Sequence, residues 1–500
     1  MMTQPPIGIG RRGFYAAITV ALCGCAVGPD FVRPAPPHAD TYATAPPAET
    51  TASVPIAGGE AQHFTSGADI PAQWWTLFHS PALSALVERA LQANPTVEGA
   101  AAALRVAQEN VYAQQGAFFP SVSGELSASR EKDATGVLSP TAANGGAYLN
   151  LRTAQLNVSY VADVFGASRR QVESLQAQAE NQRFLLRAAR LTLSANVVAT
   201  AVQIAALSDQ VAATEATIAS AREQCDVMQR QVELGAIAEA GLIAQRALLA
   251  QTEALLPPLR KQLAQQRDLL AALTGLSPGE APAADFKLSD FTLPHDVPVS
   301  LPSTLVEQRP DVRAAEALLH AASAQIGVAL ANRLPQITLT AAAGSSATRA
   351  SDLFKSGTTL WNIAAGLTQP IFDGGTLLHR QRAAEAAYDQ AFAQYRSTVL
   401  VAFENVADAL QVLQLDADAL RTTADAESRT ADALRVAQRQ VELGDTSQLL
   451  LLIAQQAYQQ ARINRIQALA ARLADTAALF QALGGGWWNE RESAALTGAN

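Results

Sequence analysis

Gln229-Arg-Gln-Val-Glu-Leu-Gly235 occurs a second time as Gln438-Arg-Gln-Val-Glu-Leu-Gly444, an offset of 209 (444 − 235). Each copy closes a stretch of 68 residues without glycine or proline, Ala167–Leu234 and Thr376–Leu443. Gly and Pro are the usual helix breakers, so each stretch predicts one helix of roughly 100 Å at about 1.5 Å per residue. No ordinary globular core needs such a helix. A duplicated chain with two rods of this kind is built to span a distance.

The composition agrees. Of the 500 residues, 49% are apolar but only 6% aromatic, so alanine carries much of the burial and lets helices approach closely. The net charge of −9 argues against nucleic acid, which rewards a basic surface. Cys23, Cys25 and Cys225 make no obvious disulfide framework. No run of about 20 apolar residues follows the N-terminal segment, so no transmembrane helix is expected.

Residues 1–24 read as a signal peptide: Arg11-Arg12 is a basic region, Phe14–Leu22 an apolar one, and Leu22-Cys-Gly-Cys25 a small-residue cleavage site. Leu22 at −3 and Gly24 at −1 from Cys25 resemble a bacterial lipobox, whose Cys is acylated and becomes the new N-terminus. Cys23 fits worse, with Leu22 at −1. Several acyl chains anchor stably where one is marginal. Ala26 in place of Asp favours outer-membrane sorting of such a lipoprotein. Gly8-Ile-Gly-Arg-Arg-Gly13 matches a dinucleotide fingerprint without the strand that should precede it, and Arg11-Arg-Gly-Phe14 only hints at a twin-arginine signal.

The expected organisation is a lipidated extended arm at 25–73, a first repeat at 74–276, a Pro-rich surface crossover at 277–302, a second repeat at 303–488 and a tail at 489–500. In each repeat a proline opens a helix, Pro95 or Pro310, and another, Pro120 or Pro335, follows its end. The period then changes from 3.6 to 2. Val122, Leu126 and Ala128 alternate with Ser123, Glu125 and Ser127; Ile337, Leu339 and Ala341 with Gln336, Thr338 and Thr340; Trp361, Ile363, Ala365 and Leu367 with polar neighbours such as Asn362. In the strand at about 147–162, Leu149 and Leu151 lie out of phase with Leu156, Val158 and Tyr160, which predicts a bulge or bend near Arg152–Gln155. Four such strands are long enough to cross a bilayer. They cannot close a barrel alone, and an open edge in lipid is forbidden, so a membrane barrel must be shared with other copies. A soluble sandwich is the alternative.

The first rod carries a seam of period seven, Val197, Ile204, Val211, Ile218, Cys225 and Val232, with Leu193, Leu207, Ala221 and Met228 on the companion line. Such a period implies left-handed supercoiling, and it makes Cys225 a packed small hydrophobe. In the second rod Glu427 interrupts the seam Val406, Leu413, Leu420, Leu434, Val441, and Asp416 interrupts the companion line. A charge on a seam is costly unless paired or wetted; a water-filled interior and a solvated bend are both open. After Gly235 and Gly444 the chain turns back into periodic helices at about 242–273 and 447–482, the first of which Pro257-Pro258 should kink or split.

The six His residues are scattered without metal-ligand spacing, and nothing resembles HExxH, a P-loop or a nucleophile elbow. The expectation is a passive duct, not an enzyme, with no cofactor beyond the covalent lipid on Cys25. A lipid-anchored structural coiled-coil protein is the reading from another class.

Cys25-Ala-Val-Gly-Pro-Asp-Phe-Val-Arg-Pro34, Trp75 with Phe78 and Pro81-Ala-Leu83, Asn94-Pro95, Asp163-Val-Phe-Gly166, Pro370-Ile-Phe-Asp-Gly-Gly375 and Leu483-Gly-Gly-Gly-Trp487 occur in this order along the mature chain. Together they resemble the TolC-like outer-membrane efflux family in its NodT subgroup of lipoproteins. The resemblance implies a mainly α protein with transmembrane β: a homotrimer in which each chain gives four strands to a twelve-stranded outer-membrane barrel, above a long periplasmic α-helical barrel. It implies docking of the tip onto a periplasmic adaptor that connects to an inner-membrane proton-driven pump of the RND type. The implied role is export of drugs or toxic small molecules, with the exit duct of type I protein secretion or of heavy-metal efflux as alternatives; the pump selects the substrate. The adaptor-binding tip carries over to Leu234, Gly235, Leu443, Gly444 and Asp445. Many relatives have acidic residues six and nine positions after the second tip glycine, where this chain has Leu450 and Ile453. An apolar plug closing by dewetting is then the candidate constriction. A ring of charge would use Glu233, Glu442 and Asp445, and ordinary solvated tip charges are the bland reading of the same residues.

Overall fold

The computed structural model describes residues 26–35, 41–42, 49–132, 148–280 and 285–489. The expected signal peptide at 1–24, Cys25 and the expected tail at 490–500 lie outside them. The described helices of seven residues or more are α1 (Pro81–Ala93), α2 (Pro95–Gln115), α3 (Ala167–Glu233), α4 (Glu239–Leu273), α5 (Pro302–Gln308), α6 (Pro310–Ala331), α7 (Thr376–Leu443) and α8 (Gln448–Ala482). The strands are β1 (His63–Ser66), β2 (Ser121–Lys132), β3 (Tyr148–Ala162), β4 (Asp296–Val299), β5 (Gln336–Ala347) and β6 (Thr359–Thr368). Both rods are single helices, of 67 and 68 residues. The chain divides into two compact units. The first takes Met1–Arg33, Leu104–Asn181 and Ala315–Tyr395; the second takes Pro34–Ala103, Gln182–Ala314 and Arg396–Asn500. Each therefore draws on both copies of the repeat.

The first unit holds a four-stranded antiparallel sheet in the order β2-β3-β5-β6. It is one layer, not half of a sandwich: β2 is exposed along its whole length, and Leu126, Leu156, Trp361, Ile363 and Leu367 all stand open. Cross-strand partners share a face. Val122 and Leu126 therefore lie with Leu156 and Val158, then with Leu339 and Ala341, then with Ile363 and Leu367. The expected bulge near Arg152–Gln155 is absent. The β2–β3 register runs unbroken from Ser121↔Ser159 to Lys132↔Tyr148. The apparent phase change has a different cause: toward the hairpin, the Leu156 face continues as Arg152, Asn150 and Tyr148 instead of as apolar residues.

At the exit from β3, Asp163 caps the first rod. Its carboxylate accepts from the backbone N–H of Ser168 at 2.9 Å and of Arg169 at 3.0 Å. Asp373 does the same for α7 through Gly375 and Leu377. The bonds from Leu377 and Gly375 favour the charged form and hold Asp373 below the usual carboxylate range. Residues 27–31 are docked onto this region. Val27 donates to the Phe165 carbonyl at 3.0 Å. Buried Arg170 donates to the Val27 and Gly28 carbonyls and to Asp30 and Glu173. Gly28, at φ 102°, lies so close to Gly327 that a Cβ would sit 2.4 Å from its Cα. Phe31 stacks on His320 at 4.4 Å.

The second unit buries Ile70, Trp74, Phe78, Leu83, Leu305 and Phe480. Here the expected extended arm and surface crossover are corrected. Within them, β1 and β4 pair in parallel, and Phe286, Leu288, Phe291, Leu293 and Val297 of the crossover are buried. Pro302 opens α5, and the prolines before it do not exclude this segment from the core. Pro257 and Pro258 do not split α4, which runs through both. Both are exposed, so water can serve the carbonyls they free. Three helices, α3, α6 and α7, each contain an 18-residue window long and apolar enough, by length and composition, to cross a bilayer. Scattered alanine, valine and leucine raise these windows without forming a continuous apolar run. In α3 the window is 67% buried against the protein itself.

Candidate docking tip and its supporting layers

The two copies of the seven-residue motif end their helices identically. Gly235 (φ 72°) donates to the Val232 carbonyl at 2.9 Å and Ala236 to Gln231 at 2.8 Å; Gly444 (φ 77°) donates to Val441 at 3.1 Å and Asp445 to Gln440 at 2.8 Å. This is the left-handed glycine cap that satisfies the last carbonyls of a helix. A Cβ at either glycine would meet nothing within 4 Å. The glycines are required by backbone conformation alone.

Around these turns Leu234 is 84% exposed, and Glu233, Glu442, Leu443 and Asp445 are exposed with it. Glu233 accepts from Gln229 at 2.7 Å and Glu442 from Arg439 at 2.9 Å, so each is engaged within its own helix. Leu450 and Ile453 stand exposed on α8, while Leu451, Leu452 and Ala454 beside them are buried. Leu451 and Ala454 pack with Ala437, Leu434 and Val441 of α7.

Above the tip, polar layers sit inside the helical seams. The side chain of Gln224 in α3 accepts from Gln245 of α4 at 3.1 Å and from Gln455 of α8 at 2.6 Å, and Gln245 is 2% exposed. Cys225, next to it, is buried in the seam as its spacing predicts, and burial raises its thiol pKa. The two charges that interrupt the second rod have partners on α8. Glu427 accepts a hydrogen bond from Arg465. Asp416 lies within hydrogen-bonding reach of Asp475; burial first, then that shared bond, push it up to about 7. Its Oδ2 is buried without a hydrogen-bond partner, a position that a proton shared with Asp475 would satisfy.

Arg472, one turn from Asp475 and fully buried, donates to Thr51 Oγ1 at 3.0 Å and to the Glu60 carbonyl at 2.7 Å. It fastens the arm to α8. Glu427 and Asp416 were visible as seam breaks. Gln224 and Arg472 gave no local signal, since polar residues recur on every exposed helix face.

A chain made of two repeated rods, return helices and one single-layer sheet with an exposed apolar face has the elements of an outer-membrane channel. Residues 86–276 and 301–485 match the family described as outer membrane efflux protein. The pyoverdine export outer membrane protein OpmQ of Pseudomonas putida is 30% identical over 446 residues, covering 88% of this chain and 94% of its own. The probable efflux pump outer membrane protein TtgC of the same organism is 28% identical over 476 residues, 95% of each. The structure of the outer-membrane channel OprN superposes with a TM-score of 0.81 at 27% identity, over 93% of this chain and 100% of that one. The chain belongs to the outer membrane efflux protein family. Its members are efflux channels of the outer membrane that reach into the periplasm and work with adaptor and RND pump partners. They are ducts, not enzymes.

Proposed function

We propose that this chain is the outer-membrane duct of a tripartite RND efflux system, exporting drugs or toxic small molecules, and that it acts as a homotrimer. The observation that carries the reading is the β2-β3-β5-β6 sheet, which is exposed and apolar on one face and ends in unpaired edges at β2 and β6. Open edges are not tolerated in lipid. Three copies joined β6 to β2 would close a twelve-stranded barrel. The relatives' names, pyoverdine export and efflux pump, support passage of small molecules.

Within this reading the two copies of the repeat, 74–276 and 303–488, each supply a strand pair, a rod and a return helix. Leu234, Gly235, Leu443, Gly444 and Asp445 form the adaptor-binding tip. Leu450 and Ile453 form an apolar constriction, with Glu233 and Glu442 as solvated rim charges. Cys25 carries the lipid anchor of a NodT-type lipoprotein. The clamp of Arg170 on Val27 and Gly28 supports an attachment point beside the exit of β3. The test is the native mass of the particle extracted by mild detergent from outer membranes. Three chains are expected; a single chain or a soluble dimer would overturn the duct.

A further inference from the structure

The four strands of the sheet segregate their charges by face. The register places Arg130 and Lys132 of β2 and Arg152 of β3 on the side that carries Val122, Leu126, Leu156, Ile363 and Leu367. Both strand carboxylates, Glu125 and Glu131, lie on the other side, where Glu125 accepts from Gln155 and Asn157 at 3.1 Å each. β5 and β6 carry no charged residue. The apolar side of the described strands is thus purely cationic where it is charged at all.

We propose that Arg130, Lys132 and Arg152 bind the phosphorylated headgroups of outer-leaflet lipids, an inference that rests on the sheet spanning the membrane as proposed above. Arg130 follows Val122 by eight residues, about 26 Å along a strand at about 3.3 Å per residue and about 20 Å of height at a tilt of about 40°. An outward apolar band is about 25 Å tall, and a lipid-facing Arg or Lys is costly at its middle but nearly neutral at its edge. The three cations lie toward the β2–β3 hairpin, the end of the sheet away from the rods, and so at the outer edge of that band. Among the described strand residues no carboxylate shares that face, and the phosphate of the lipid is the counter-charge it would meet.

The local contacts fit this use. The Arg130 guanidinium carbon lies 5.3 Å and the Lys132 Nζ 5.7 Å from the centroid of the Tyr148 ring. One interfacial aromatic therefore holds two cations together. Arg152 donates to the Thr348 carbonyl at 2.8 Å, which fixes its planar head along the sheet. Guanidinium groups bind phosphate oxygens in pairs, which suits a phosphate ester better than a zwitterion.

The test places the purified full-length protein in nanodiscs of phosphatidylcholine containing a minor fraction of lipid A, either bisphosphorylated or enzymatically dephosphorylated. Lipid retained after detergent exchange is then measured by mass spectrometry. The wild type should retain the bisphosphorylated form selectively. R130Q/K132Q/R152Q should lose roughly a hundredfold of that preference, and each single variant about fivefold. E125Q/E131Q, which changes charge on the opposite face, should keep it. Equal retention of both lipids by the wild type, or undiminished retention by the variants, would overturn the proposal while leaving the barrel intact. Failure of the wild type to enter phosphatidylcholine discs would overturn the membrane-spanning sheet and this inference with it.

Discussion

Glu427 on the second rod accepts a hydrogen bond from Arg465 on the return helix, and both side chains are largely withdrawn from water. A carboxylate that looks like an error in the α7 seam is thereby one half of an inter-helix pair. Removing one partner strands the other, whereas replacing both with apolar residues restores a continuous seam. Glu427→Leu or Arg465→Met alone should lower stability by about 1–3 kcal/mol, and the double variant should recover most of it. Thermal unfolding followed by circular dichroism in detergent tests this; additive losses in the double variant would refute the coupling.

Asp416 and Asp475 should make the α7–α8 contact sensitive to pH. Asp416 is raised to about 7, by burial and by the bond shared with Asp475, with Arg472 opposing. A carboxyl raised above its unfolded value stabilises the fold at acid pH, and that stabilisation is lost as pH rises through about 7. The protein should therefore melt at a higher temperature at about pH 5.5 than at about pH 8.5. Asp416→Asn should flatten the difference. An unchanged pH profile in that variant would exclude the pair as its source.

At the tip, Gly235 and Gly444 have room for a side chain but not the backbone conformation for one. Ala at either position should cost about 1 kcal/mol, and Asn less, because Asn enters the left-handed region more readily. Drug susceptibility of cells carrying each variant should rank wild type, Asn, Ala and Pro in order of declining export. Equal export by the Ala and Asn variants would show that the cap does not limit export.

The Asp163 cap is shielded, with its side chain 12% exposed, and it serves two backbone N–H groups and Arg169. Asp163→Ala should cost about 1–2 kcal/mol, while Asp163→Asn should retain part of the cap. Melting temperature of the assembled particle checks both.

Cys25→Ser should abolish incorporation of labelled palmitate. If Cys23 is the acylated residue instead, Cys23→Ser will remove the label and Cys25→Ser will not.

Local periodicity determined much of this protein. Two glycine-free rods, their seams, four strands of period two and the paired glycine turns follow from patterns that each segment carries in itself, because helix and strand geometry repeat every few residues. The helix ends at Gly235 and Gly444 were legible for the same reason, as a helix end is signalled within one turn of itself. Tertiary structure decided what joins segments far apart. It buried the crossover by pairing β4 with β1. It kept the β2–β3 register in phase through Arg152, turning an expected bulge into a cationic extension of one face. It gave Glu427 and Asp416 their partners on α8, and it set Arg472 against Thr51, 421 residues away. A seam break announces that a charge needs a partner, but which residue answers it depends on how two helices pack, and that is not written in either helix alone.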